Sequence, residues 1–353
     1  MYDVRNIGPN IRVNSKKLIN LCSNDYLGIK PPKISRKQNQ SSSRLIAGND
    51  ESFKILESKL AKHKSQDSAL IFPTGYMANL GVISSLIQKN DHVYSDEFNH
   101  ASLIEACKMT GAKITIFNHN NMSDLNSKIK ADSKRKFIIT EGIFSMDGDC
   151  ADLKIISEIS QKHNAITILD DAHGDFIIGK NGGGSANYFG VGKKIDVYTS
   201  SLSKGLGSFG GYIASQKNVI DICINKSKSF IYTSALPSLF IDDAIKRFDS
   251  NRETRRKLLW ENTNYFSTGL KKIGYETESK SHIIPIMIGK EKQAIEFAIY
   301  LRKNGIFVHP IRYPTVPKNN ARIRISITAS LTKKQMKFSL DIFDKARKKF
   351  HIG

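Results

Sequence analysis

Residues 165–174 read AITILDDAHG and residues 200–211 read SSLSKGLGSFGG. The first is an apolar run closing on two acids, the pattern of a buried strand that ends at a polar edge. The second sets Lys204 in a Ser- and Gly-rich loop that runs into GYIAS (211–215), a further strand by its pattern. Neighbouring strand residues face opposite sides of a sheet. Only one of Asp170 and Asp171 can therefore face a ligand on a given side. Outward from this centre, SALIF (68–72), DHVYSD (91–96), AKITIF (112–117), KFIIT (136–140) and DVYTS (196–200) also read as strands. Helical spacing places Phe53, Leu56 and Leu60 on one face of residues 51–64. Residues 76–87, 100–110 and 152–164 read as helices between the strands. Strands alternating with helices predict an α/β fold with a mainly parallel central sheet covered on both faces. Ligands of such sheets sit outside the carboxyl ends of the strands. Gly75, Asp170, His173 and Lys204 all fall at or just after predicted strand ends.

From about residue 236 the pattern changes to helical stretches separated by HIIPIMIG, IFVHP and ARIRISI. The 353 residues suit two domains. The expected division is a short N-terminal segment (1–45), a large domain (46–235) and a smaller C-terminal α/β domain (236–353).

Composition closes off several function classes. No apolar run is long enough for a membrane span, and the start, MYDVRNIGPNIRVN, lacks the apolar core of a signal peptide. A cytoplasmic protein is expected. Cys22, Cys107, Cys150 and Cys223 form no CxxC pair, so buried thiols are expected rather than disulfides or a metal site. The formal net charge is +21, which raises a nucleic-acid reading. The basic residues are dispersed, without a basic tail or interleaved aromatics, so a solvated basic surface is expected and no nucleic-acid partner. Part of the charge would then steer an anionic substrate such as an acyl thioester.

Two motifs mislead. Gly205, Gly207 and Gly210 fit G-x-G-x-x-G, but a strand follows where a dinucleotide fold needs a helix. Ser201 to Lys204 fits S-x-x-K without its companion elements. The surviving pattern is an amine in a small-residue loop, a carboxylate with a histidine at a strand end, and PTGY opening a helix. Pyridoxal phosphate needs these parts. Lys forms its Schiff base, a carboxylate pairs with its ring nitrogen, and its phosphate suits a helix N-terminus with nearby hydroxyls.

SNDYLG (23–28), NHASLIEA (99–106), TEGIFSMDGD (140–149), DDAHG (170–174), LSKGLG (202–207) and RYPTVP with ARIRISITAS (312–330) together resemble the α-oxoamine synthases. The resemblance covers nearly the whole chain. It implies the fold-type I, aminotransferase-like architecture of pyridoxal 5'-phosphate enzymes, a homodimer, and decarboxylating condensation of an amino acid with an acyl thioester. It implies Lys204 as the Schiff-base lysine, Asp170 at the ring nitrogen, His173 near the ring hydroxyl and His100 stacked on the ring. Gly75 and Tyr76 would offer N–H groups to the phosphate, and Ser201 a hydroxyl. Ser234 would add a hydroxyl from the partner subunit, and Ser145 would lie beside the cofactor. Arg324 would grip the amino-acid carboxylate. TEGIFSMDGD and IRYPTVP favour the branch that condenses L-alanine with a pimeloyl thioester of coenzyme A or acyl carrier protein, whereas YPTVP and GGYIAS also resemble glycine-using branches. The chain departs from the family at its front. It lacks the expected N-terminal helix, leaves Arg5 as the nearest substitute for a further arginine, and shortens residues 30–49. A compact enzyme and a scaffold that has lost activity both follow from that departure.

Overall fold

The computed structural model describes residues 4–34, 42–130 and 134–352. Residues 35–41 of the shortened 30–49 stretch lie outside the described residues. The chain forms two compact units. One comprises Met1–Ile29, Ser145–Asp149 and Asn251–Gly353, the other Lys30–Phe144 and Cys150–Ser250.

In the first unit the chain opens with three short antiparallel strands, β1 (Val4–Ile7), β2 (Asn10–Val13) and β3 (Lys16–Asn20).

The second unit is built on β4 (Ser68–Phe72), β5 (His92–Asp96), β6 (Lys113–Phe117), β7 (Lys136–Glu141), β8 (Ala165–Asp170), β9 (Val197–Ser201) and β10 (Gly211–Ser215). Their order across the sheet is β4-β10-β9-β8-β7-β5-β6. The neighbours from β9 to β6 run parallel, while β10 runs antiparallel to both β9 and β4. The sheet is thus mainly parallel, as the alternation predicts. The reversal has a simple cause. Only the short loop 202–210 joins β9 to β10, too little chain for the crossover that a parallel neighbour needs.

Five helices, α1 (Glu51–Lys64), α2 (Gly75–Leu86), α3 (Ala101–Thr110), α4 (Met122–Lys128) and α5 (Leu153–His163), connect the earlier strands. Ala78, Val82 and Ile83 of α2 and Leu103, Ala106 and Cys107 of α3 pack with Val93, Phe137, Ile139, Ile168, Val197 and Ile213 of the sheet into one apolar cluster. Their burial is the main force holding helices to sheet. Helix starts are capped by side chains. Asp50 accepts from Ser52 N, Thr74 from Met77 N and Asp152 from Ile155 N.

The remaining strands belong to the first unit: β11 (Ile283–Gly289), β12 (Ile306–Phe307), β13 (Pro310–Ile311) and β14 (Ala321–Ser326). Strand β12 adds in parallel to β3, and β11-β14-β13 form an antiparallel sheet. Arg5 is exposed on β1, opposite Arg12. Among the described residues none of the four cysteines forms a disulfide. Cys107 and Cys223 are buried as expected, but Cys22 and Cys150 are partly exposed. Among the described residues no helix is long and apolar enough to cross a membrane.

Candidate active site

The carboxyl ends of β4, β7, β8 and β9 bring the site together within the second unit. Strand β4 ends at Phe72, and Pro73 and Thr74 turn the chain into α2. The N–H groups of a helix's first turn have no partner within the helix. Thr74 Oγ1 takes one of them, Met77 N, at 3.1 Å. Those of Gly75 and Tyr76 open the helix beside the end of β9. A Cβ on Gly75 would stand 3.2 Å from Ser201 Cβ, and a Cβ on Gly211 would stand 2.4 Å from Gly75 N. Two glycines therefore let a helix start, a strand end and a hydroxyl meet at backbone distance. Ser201 Oγ shares a 2.8 Å hydrogen bond with Ser203 Oγ.

Asp170 closes β8. Its Oδ2 accepts from Asn79 Nδ2 at 2.7 Å and its Oδ1 from Ala172 N at 3.0 Å. Asn79 Nδ2 also donates to Ser102 Oγ at 2.8 Å, and Ser102 Oγ lies 2.7 Å from His100 Nδ1. His100 caps α3, its Nδ1 accepting from Ser102 N at 3.2 Å. That bond leaves the proton of a neutral ring on Nε2. A chain of hydrogen bonds thus links Asp170 to His100 through Asn79 and Ser102. Burial pushes His100 below the usual imidazole range. The Asp170 carboxylate opposes this and the Lys204 ammonium adds to it. Lys204 Nζ lies 2.8 Å from His173 Nε2. The loops after β8 and β9 therefore deliver the amine and the second imidazole to one place.

Asp171 points elsewhere, as strand alternation requires. It accepts from Ser185 Oγ at 2.6 Å and from Lys64 Nζ at 2.8 Å. Asp175 accepts from Tyr212 OH at 2.5 Å and Ser200 Oγ at 2.8 Å, and pairs with Lys64 Nζ at 2.7 Å and His63 Nε2 at 2.9 Å. Burial works against its charge, but the Lys64 ammonium and the bond from His63 hold its carboxyl well below the usual range. This buried charge group braces the DDAHGD loop. Its members gave no sequence signal, since lysine and histidine at the end of an amphipathic helix read as solvated. Glu141 at the end of β7 and Asn79 within α2 were likewise silent. One is a strand-end acid and the other a polar residue in an otherwise small and apolar helix.

Three expected residues are not members of this hydrogen-bonded group. Ser234 is exposed and lines a small pocket with Arg44, Phe53 and Phe230. Ser145 and Arg324 belong to the other unit. There Arg324 donates from Nε to Ser145 O, from one terminal nitrogen to Asn24 Oδ1 at 3.1 Å and from the other to Tyr26 OH at 3.2 Å. All three acceptors are uncharged, so these bonds leave the guanidinium charge unneutralised.

The parts of the second unit fit pyridoxal phosphate. Lys204 offers an amine, Asp170 a buried carboxylate fixed by two donors, and the Gly75 turn a close backbone approach for a phosphate beside the Ser201 hydroxyl.

Comparison with known proteins adds to this geometry. The profile of the family described as "Aminotransferase class I and II" matches residues 16–342. An 8-amino-7-oxononanoate synthase of Thermoanaerobacter pseudethanolicus is 37% identical over 361 residues, covering 98% of this chain and 91% of that one. Serine palmitoyltransferase of Sphingomonas wittichii superposes with a TM-score of 0.93 at 27% identity, covering 98% of this chain and 91% of that one. A high-resolution structure of SPT with PLP superposes with a TM-score of 0.94 at 27% identity, covering 100% of this chain and 93% of that one.

Proposed function

Because this chain belongs to the aminotransferase class I and II family, we propose that it is a pyridoxal-phosphate-dependent acyltransferase of the α-oxoamine synthase type. It joins L-alanine to a pimeloyl thioester, releases the thiol and carbon dioxide, and gives 8-amino-7-oxononanoate for biotin synthesis. The observation that carries the reading is the near-full-length likeness to an 8-amino-7-oxononanoate synthase. The lysine, aspartate and phosphate cradle described above support it.

Pyridoxal phosphate, when bound, draws electron density from the α-carbon of the amino acid into its ring. The chain's own residues do the rest. Lys204 would hold the cofactor through its amine, and that amine would serve as the base for the α-carbon proton. His173, 2.8 Å from Nζ, would orient that amine and lie near the ring hydroxyl. Asp170, held in place by Asn79 Nδ2 and Ala172 N, would pair with the ring nitrogen and favour its protonated form. His100, whose imidazole is shifted below its usual range by desolvation, would stack on the ring. The N–H groups of Gly75 and Tyr76 and the Ser201 hydroxyl would bind the phosphate, joined by Ser234 of the partner subunit in the proposed homodimer. Arg324 takes the amino-acid carboxylate with its planar fork, and Ser145 lies next to it in the same unit. The acyl donor is the thioester of coenzyme A or of acyl carrier protein. The proposed setting is the cytoplasm, and the cofactor is assigned to the large domain expected over residues 46–235, most of which falls in the unit Lys30–Phe144 and Cys150–Ser250.

A second reading, a sister enzyme that uses glycine or serine, draws on the shared YPTVP and GGYIAS stretches and on the likeness in shape to serine palmitoyltransferase. One titration separates them. Purified protein reconstituted with pyridoxal phosphate is given L-alanine, glycine and L-serine in turn while visible absorption is followed. Pimeloyl-coenzyme A is then added and free thiol measured. A shift with alanine and alanine-dependent thiol release support the first reading. A shift and thiol release with only glycine or serine favour the sister. Absence of any visible cofactor band removes both.

A further inference from the structure

Glu141 ends β7 in register with Asp170 at the end of β8. Side chains paired in register on neighbouring strands share one face of the sheet, so the two carboxyl groups stand side by side. Glu141 is only 3% exposed, and its Oε1 has no hydrogen-bond partner. The backbone N–H of His100 serves the carboxyl. Asp170, by contrast, is fixed by the Asn79 amide and the Ala172 N–H. Two bare carboxylates in one dry place repel, and the one with fewer donors takes the proton. The geometry has thus already decided between them.

Resting on the cofactor reading above, we propose that Glu141 is a further member of the site that holds its proton at neutral pH and leaves Asp170 as the charged carboxylate opposite the ring nitrogen. The electrostatic surroundings agree. Burial, then the Asp170 charge, push Glu141 well above the usual carboxyl range. The Lys204 ammonium and the His100 N–H pull the other way, and Asp96 adds to the upward push. The proton matters for Lys204. A second negative charge beside it would favour the ammonium form, which cannot act as a base. Glu141 acts through Asp170 and Lys204 and is a positioning residue.

Infrared spectroscopy of the wild-type holoprotein, grown with isotope-labelled glutamate, tests this without any variant. The expected result at about pH 7 is a protonated-carboxyl C=O band that moves with the glutamate label, which separates it from aspartates. The band should be missing from Glu141→Gln. That variant, neutral and of the same shape, should bind pyridoxal phosphate within about threefold of wild type, with the pH midpoint of the visible band unmoved. A visible cofactor band without any glutamate C=O band overturns the proposal and leaves the proposed function standing. So does a midpoint shift of about one pH unit in Glu141→Gln, since a charge would then have been removed. Failure of the visible band itself counts against the function, and the glutamate band is still read in the cofactor-free protein, where its absence overturns the proposal.

Discussion

Under the proposed function the Lys204 side chain is both tether and base, so its loss has no partial substitute. Lys204→Ala is expected to lower turnover by at least about a thousandfold with an unchanged far-ultraviolet circular dichroism spectrum. Thiol release from pimeloyl-coenzyme A measures the first. Glu141 gives a different kind of expectation. Its folded-state pKa is raised, so its contribution to stability is fully present below the ordinary value of 4.5 and is lost as pH rises through the folded value. Glu141→Gln carries no such loss. Its melting temperature relative to wild type should therefore climb as pH rises above about 4.5, and thermal unfolding across pH reads that slope. Legibility in the sequence also divides at this scale. Lys204 and His173 announce themselves because lysine in a Gly loop and D-x-x-H at a strand end are unusual pairings. The fold then sets them 2.8 Å apart. Glu141, Asn79 and Ser102 do not, because what distinguishes them is burial next to Asp170 and His100, a property of the assembled sheet.

Among the elements, α2 and β10 depend on one another. The Gly211 Cα faces the backbone of Gly75, and any side chain there would enter the first turn of the helix. Gly211→Ala should weaken capture of pyridoxal phosphate by more than about tenfold, corresponding to about 1.4 kcal/mol, as read by visible absorption. The buried charges joining α1 to the loop after β8 make a second test. Removing the Lys64 ammonium leaves Asp171 and Asp175 buried without it. Lys64→Met should cost about 3–5 kcal/mol of stability, measured by denaturant unfolding. Most elements are legible from period alone, since β4 to β9 and α1 to α3 carry clean apolar patterns. Strands β1 to β3 are not. VRNI, NIRV and KKLIN are short and rich in charge and amide. They are strands because each pairs with its neighbour in the chain and because β3 also pairs with β12, far away in the chain. The direction of β10 comes from loop length, which pattern alone does not weigh.

Over the whole molecule the dominant number is the net charge of +21. A field of that sign raises the encounter rate with an anionic thioester and is screened by salt. The KM for pimeloyl-coenzyme A should rise several-fold between about 0.05 and about 0.3 M salt while kcat stays level, a split that steady-state kinetics resolves. The general architecture was legible because alternating strands and helices admit few arrangements. The grouping of the first strands with the C-terminal third was not, since it depends on the pairing of β3 with β12.

Asp175 gathers Lys64, His63, Ser200 and Tyr212 around one buried carboxylate. The strap bearing Asp170 and His173 is thereby anchored at its rear, before any tenant occupies the front. Stripping and reloading the protein then resembles changing a lamp in a fixed socket. Uptake is therefore expected as a single exponential phase with no slow second phase, read by stopped-flow visible absorption.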